Sequence, residues 1–252
     1  MAEWLIVEPV PALSARWHVR QSFGDMNQHG MVPTQRFWGL LDDTEQELLR
    51  ALSLMKVFPP GTTICVEGDP ATHVFVLIVG LVKILSVTED GHEIVLALRG
   101  NGDIVGELAG ETTGRRNATM EAVDTVRALI VPYDRFSSFL DAHPGAARAY
   151  RHAVTRRWSD TATVLRNFSL SSGTQRVAKL LLDLATQYGS ANDGEIDIDL
   201  TQEELAGLAG TSRATVTRAF SNWRGRGFIR TGQRRITITD PEGLKRIVGR
   251  LM

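Results

Sequence analysis

Seven arginines fall between residues 211 and 239, at 213, 218, 224, 226, 230, 234 and 235, and that span holds no aspartate or glutamate. The whole chain hides this field, because 28 cations face 29 anions and the formal net charge is −1. Solvated faces usually mix signs, so a local field of one sign points to a polyanion. Arginine suits a duplex in two ways. Its planar fork can bond O6 and N7 of one guanine. Its fixed charge grips phosphates and supplies the salt-dependent part of affinity.

Local signals define the elements that must present these arginines. Thr201, with Glu204 three residues on, is a capping box that opens one helix and turns Leu205 and Leu208 inward. Gly210 within "AGTS" (209–212) suits a tight inter-helix turn, and Ser212 caps a second helix over 213–223. Val216 and Phe220 anchor that helix to the first and leave Arg213, Thr215, Thr217 and Arg218 outward. Two β runs, 228–231 and 235–239, then flank a turn at Gly232 and form a wing whose tip holds Arg230, Arg234 and Arg235. The pattern predicts a winged helix-turn-helix for double-stranded DNA. Its candidate contacts are Thr201, Ser212, Arg213, Thr215, Thr217, Arg218, Arg230, Arg234 and Arg235.

Upstream, the pattern changes three times. Residues 34–54 step helically through Phe37, Leu40, Leu41, Leu48, Leu49 and Leu52, with Asp43 or Thr44 as a cap and Glu47 completing a box. Residues 56–136 alternate short β-rich runs with glycines (62–68, 73–80, 81–87, 93–98, 117–123 and 126–132), with a hairpin turn at "EDGHE" (89–93). The runs lie too close together for crossover helices, which points to an antiparallel sandwich or jelly roll. From Pro144 the apolar residues Tyr150, Val154, Trp158, Thr161, Leu165 and Phe168 form one helical stripe, opposite Arg148, Arg151, Arg156 and Arg166. A second copy of the same helix is the simplest cover for that stripe; the alternative is that it packs back on the β domain. "SLSSG" (169–173) is a hinge-like break, followed by a helix over 174–189 and a strand at 195–200.

The expected fold is therefore α+β. An extension (1–33) precedes a β-roll sensor domain (34–143), a dimerisation helix (144–168) and a winged helix-turn-helix domain (169–252). The single cysteine, Cys65, rules out an intramolecular disulfide framework and a four-cysteine iron–sulfur cluster, and fits a reducing cytoplasm. The longest apolar runs fall far short of a bilayer span, and the first residues make a poor signal peptide. The six histidines are scattered with no H-x-H, and no nucleophile elbow or Walker loop is present, so an enzyme is not expected. An adaptor that senses a nucleotide without binding DNA would need a broken reader helix, and the reader arginines are intact.

In this order of parts the chain resembles the CRP/FNR family of bacterial transcription regulators over about residues 34–240. Three motifs carry the resemblance. They are "PPGTTICVEGDPATHVFVLIVGLVKI" (59–84), "GDIVGELA" with "RRNAT" (102–119), and "TQEELAGLAGTSRATVTRAF" (201–220). The resemblance implies a homodimer through 144–168, a palindromic operator and contact with RNA polymerase. In members that bind cyclic AMP, the cassette glutamate accepts the ribose 2′-hydroxyl, while backbone amides and an arginine neutralise the cyclic phosphate. Those places match Gly106, Glu107, Leu108, Ala109 and Arg116. Asn117 stands where a serine or threonine usually follows the arginine, and Thr161-Ala162 stands where the dimer helix usually offers Thr-Ser to the adenine. Cyclic AMP, another cyclic nucleotide or small effector, and no ligand at all stay open. The family's R-E-x-x-x-R reader is here Arg213-Ala214-Thr215-Val216-Thr217-Arg218, so the half-site is expected to depart where a glutamate would have accepted from cytosine.

Overall fold

The structure, a computed structural model, describes residues 36–87, 93–111, 114–188, 195–196, 200–232 and 235–249. They lie in one compact unit, Pro33–Met252. The extension expected at 1–33 and the turn residues 89–92 fall outside the described residues.

Helices α1 (Phe37–Leu40) and α2 (Asp43–Ala51) come first, followed by strands β1 (Leu54–Phe58), β2 (Thr63–Cys65), β3 (His73–Val79), β4 (Val82–Val87), β5 (Glu93–Arg99) and β6 (Ile104–Val105). Next come α3 (Glu107–Glu111), β7 (Thr119–Ala122), β8 (Val126–Pro132), α4 (Tyr133–Ala142) and the long α5 (Pro144–Leu170). The C-terminal part holds α6 (Gly173–Tyr188), β9 (Glu195–Ile196), α7 (Gln202–Leu208), α8 (Arg213–Gly225), β10 (Ile229–Gly232), β11 (Arg235–Ile238) and α9 (Pro241–Val248). The roll is a sandwich of two four-stranded sheets, β1-β8-β3-β6 and β2-β7-β4-β5, and the wing sheet has the order β10-β11-β9. All their pairs are antiparallel, as the strand spacing implied.

Strand β3 shows why one run of the sequence is apolar without alternation. Phe75 and Leu77 enter the sandwich interior with Phe58, Val82, Val105 and Met120. Val74 and Val76 point the other way, into a core with Phe37, Phe136, Phe139 and Tyr150 from the covering helices. A strand buried on both faces has no polar side to display. A third core joins sensor to reader. Leu81, Leu85, Val95, Leu98 and Val123 of the roll share one buried cluster with Val177, Leu181, Leu205, Val216, Phe220 and Trp223. Burying each large side chain there contributes roughly 1.5–3 kcal/mol.

Several expectations are corrected. The cap of α2 is neither Asp43 nor Thr44: α2 begins at Asp43, and Asp42 is its N-cap, in a capping box with Glu45. Strand β1, the two-residue β6 and helices α3 and α4 were not anticipated. The break after α5 is shorter than 169–173, because α5 runs through Leu170 and α6 begins at Gly173. Ser172 closes it: the Ser172 N–H donates to Gln175 Oε1 (2.9 Å), and the Gln175 N–H donates to Ser172 Oγ (3.3 Å). The apolar stripe of α5 begins inside its own roll. Tyr150 is only 8 % exposed, its ring edge-on to Phe136 at 5.6 Å, and Val154 packs on the same core. The side chains of Trp158, Thr161, Leu165 and Phe168 lie outside the described residues.

Candidate nucleic-acid interface and effector cassette

The reader is built from caps and one turn. Thr201 caps α7, and Glu204 completes the expected box. The α7–α8 turn needs a left-handed residue, which Gly210 supplies at φ +56°. Ser212 caps α8 by accepting from the Thr215 N–H at 3.2 Å. Val216, Ala219, Phe220 and Trp223 bury one face of α8, leaving Arg213, Ala214, Thr217 and Arg218 exposed on the other. Thr215 differs from expectation. It is half-buried, its hydroxyl lies 3.0 Å from Ser212 Oγ, and its methyl abuts Gly173 at the start of α6. Thr217 is exposed but engaged, donating to Gln202 Oε1 at 2.7 Å.

On the wing, Arg230 is exposed at mid-strand, opposite Thr237, and so is not at the tip. Gly232, expected in the turn, is the last residue of β10 and pairs with Arg235. Arg234 and the side chain of Arg235 fall outside the described residues. Two arginines of the cluster have structural partners instead: Arg224 donates to Thr231 Oγ1 (3.1 Å), and Arg226 stacks over the Phe228 ring at 4.4 Å. Sequence reasoning missed Arg176 on α6. It donates to the carbonyls of Ala209 (2.8 Å) and Gly210 (2.6 Å) in the reader turn and of Ser171 (2.5 Å) in the inter-helix break. No local pattern marks it, since all three acceptors are backbone atoms.

The effector cassette centres on the start of α3. Gly106 has φ +82°, and a Cβ there would run into the Arg116 guanidinium. Arg116 is 3 % exposed; it donates to Gly106 O (3.1 Å) and His73 O (2.8 Å) and lies over the Phe75 ring. Glu107 is 1 % exposed. Arg157, reaching over from α5, donates to Glu107 Oε1 and to Ile104 O. The other carboxylate oxygen, Oε2, is buried without a hydrogen-bond partner among the described residues. Burial pushes the Glu107 carboxyl above its usual range, more than the Arg157 charge pulls it down. Gly106, Glu107 and Arg116 are thus brought together as expected. Ala109 is buried beside them, whereas Leu108 and Asn117 lie at the surface. Arg157 was not anticipated, because five arginines dot α5 and only its tertiary placement singles one out. Thr161 follows Arg157 by about one turn of the same helix.

An orphaned buried acceptor costs about 1–3 kcal/mol, and an O–H donor would satisfy it. The cassette therefore fits a ligand that brings a hydroxyl to Glu107. Among the described residues no group of side chains could hold a metal ion, and no helix is long and apolar enough to cross a membrane.

Comparisons with known proteins agree with this geometry. Residues 55–143 match the cyclic nucleotide-binding domain family, and residues 175–247 match the Crp-like helix-turn-helix domain family. A "CRP-like cAMP-activated global transcriptional regulator" of Mycobacterium tuberculosis is 34% identical over 213 residues, which is 82% of this chain and 95% of the relative. Two solved structures share the fold. FixK2 from Bradyrhizobium japonicum has a TM-score of 0.68 at 19% identity, over 77% of this chain and 96% of its own. The c-di-GMP responsive global regulator CLP of Xanthomonas campestris has a TM-score of 0.66 at 24% identity, over 78% and 99%. A cyclic nucleotide-binding roll, a long helix and a winged DNA reader in one chain, with a relative this similar along nearly its whole length, place the chain in the CRP/FNR family of transcription regulators.

Proposed function

We propose that the protein is a cytoplasmic homodimer that reads a palindromic operator and is controlled by a cyclic nucleotide, with cyclic AMP the first candidate. The observation that carries the effector is the buried Oε2 of Glu107, without a hydrogen-bond partner among the described residues, on a carboxylate whose charge reaches Arg116. Glu107 would receive the ribose 2′-hydroxyl. Arg116 and the amides of 106–109 would hold the cyclic phosphate, and Asn117 and Thr161 would complete the cradle. The name of the Mycobacterium tuberculosis relative, which is cAMP-activated, supports that choice. Pairing would use the later part of α5, where Trp158, Leu165 and Phe168 continue the helical spacing. Arg213 and Arg218 would enter the major groove, with Arg230, Arg234 and Arg235 on phosphates. RNA polymerase is the expected protein partner.

A second reading keeps the DNA function without an effector. It is favoured by Arg157 and Arg116, which already satisfy much of the cassette with the protein's own carbonyls and carboxylate. Isothermal calorimetry with cyclic AMP, cyclic GMP and cyclic di-GMP separates the two. The first reading expects saturable heat from cyclic AMP that is lost in Glu107→Ala; heat from none of the three leaves the second.

A further inference from the structure

Lys83 sits on β4, whose residues point alternately in and out. Val82 and Ile84 belong to the sandwich interior, and Leu85 belongs to the core shared with the winged helix. Lys83 is paired in register with Glu121 of β7, and its Nζ lies 2.8 Å from Glu121 Oε1. The same Nζ lies 2.7 Å from Glu204 Oε1 on α7, with side chains only 13 % and 18 % exposed. Glu204 is also the capping-box residue of the reader. Its Oε2 accepts from the Thr201 N–H at 2.7 Å and from Thr201 Oγ1 at 3.0 Å. One carboxylate therefore joins the cap of the first reader helix to the sensor sheet.

Electrostatics keep both partners charged. Burial alone would lower Lys83, but its hydrogen bonds to Glu121 and Glu204 outweigh that and leave it raised. Burial alone would raise Glu204, but Lys83 and Thr201 outweigh that and leave it lowered. Around the ion pair, Leu205 and Ala206 of α7 share the buried cluster with Val95 and Leu98. Gly207 brings the α7 backbone onto β5, where a Cβ would stand 3.7 Å from the Val95 nitrogen. The arginine face of α8 stays exposed in this arrangement, so docking on the roll leaves the reader able to meet DNA.

We propose that Lys83 is a positioning residue for operator recognition: by tying Glu121 of the roll to Glu204 of the reader, it presets where each winged helix stands. This rests on the dimer reading above. Two half-sites lie about one helical turn apart, roughly 34 Å, so a symmetric pair of readers must both be held in place. An undocked reader must be ordered on binding, at an entropic cost that a single half-site does not impose.

The test uses a palindromic duplex selected from a random library by the wild-type protein, and its single half-site. Both are followed by fluorescence anisotropy in the selection buffer. Lys83→Met and Glu204→Gln are expected to weaken the palindrome about tenfold while leaving the half-site within about twofold. Glutamine keeps the capping box, so that loss does not come from unravelling α7, and Lys83→Arg, which keeps the charge, should retain wild-type discrimination. Unchanged palindrome affinity in both variants overturns the proposal, and so does an equal loss on both duplexes, which would assign Lys83 to folding alone. A wild type that binds the two duplexes alike overturns the dimer reading and the proposal with it.

Discussion

Glu45 and Glu204 hold the same place in two capping boxes, three residues after Asp42 and Thr201. Each has a carboxylate oxygen left over once its cap is made. Glu45 Oε1 accepts from the Ala146 N–H at 2.8 Å, at the start of α5, and Glu45 is 7 % exposed. Glu204 Oε1 accepts from the Lys83 ammonium. The first contact satisfies an orphan amide of a helix end and places negative charge at its positive pole. A backbone amide cannot titrate or swing away. The second contact crosses from sensor to reader and uses a side chain that can do both. One local motif thus yields a fixed joint inside the sensor and an adjustable one between its sheet and the reader.

Glu45→Ala should break the fixed joint with the largest effect. It removes the box and leaves the Ala146 N–H buried and unpaired, a loss of about 3 kcal/mol. That corresponds to a thermal midpoint roughly 6–12 °C lower; a fall of under about 2 °C would mean that the amide finds another acceptor. Gly106→Ala comes next, since it strains a backbone at φ +82° and crowds Arg116. It should cost about 2 kcal/mol and abolish cyclic-nucleotide heat in calorimetry while sparing half-site binding. Ser212→Ala removes a cap that carries no glutamate three residues on, so no oxygen is left over to join anything. About 1 kcal/mol is expected in urea unfolding, with half-site and palindrome weakened alike.

The smallest effect belongs to the adjustable joint. Glu204→Gln should cost under about 1 kcal/mol, because Lys83 keeps Glu121 as a partner and glutamine keeps the box, and the wild-type contribution should respond to pH. Because the folded Glu204 carboxyl is held low, its contribution is present above the ordinary glutamate value and lost as pH falls through the lowered one. Glu107 has the opposite sign. Its carboxyl is raised, so its contribution is full below the ordinary value and lost as pH rises through the raised one. Urea unfolding from acid to neutral pH should therefore show a flatter acid limb in Glu204→Gln and no loss on rising pH attributable to residue 107 in Glu107→Gln. Superimposable profiles for wild type and both variants would contradict the assignment.

Legibility followed range. The Thr201–Glu204 box and the Ser212 cap were readable because every atom involved lies within three residues. The first box was misplaced although equally local. Asp42, Asp43 and Thr44 stand in a row, each with an acid or glutamine three residues on, and the contact from Glu45 to Ala146, 101 residues away, is what sets Asp42 apart. Residues 144–170 form one helix as their spacing implied, and Tyr150 and Val154 take the alternative of the two covers, the roll; periodicity says which face is apolar and nothing about what covers it. Arg157, Arg176 and Lys83 were invisible for the same reason: each is a common cation whose partners lie at least 33 residues away or on backbone atoms.

Helix α5 spans 27 residues without a break, a rod about 40 Å long. Ala146, Ala149 and Tyr150 clamp one end in the roll, and the other end leads through the break at Ser172 into α6 of the reader domain. Leverage along such a rod is considerable. A tilt of about 5° at the clamped end carries the far end about 3.5 Å, close to the roughly 3.4 Å rise of one base pair. Where the core shared by roll and reader yields, a displacement at the clamp too small to disturb its packing would therefore shift the register of a reader on its groove by a whole step.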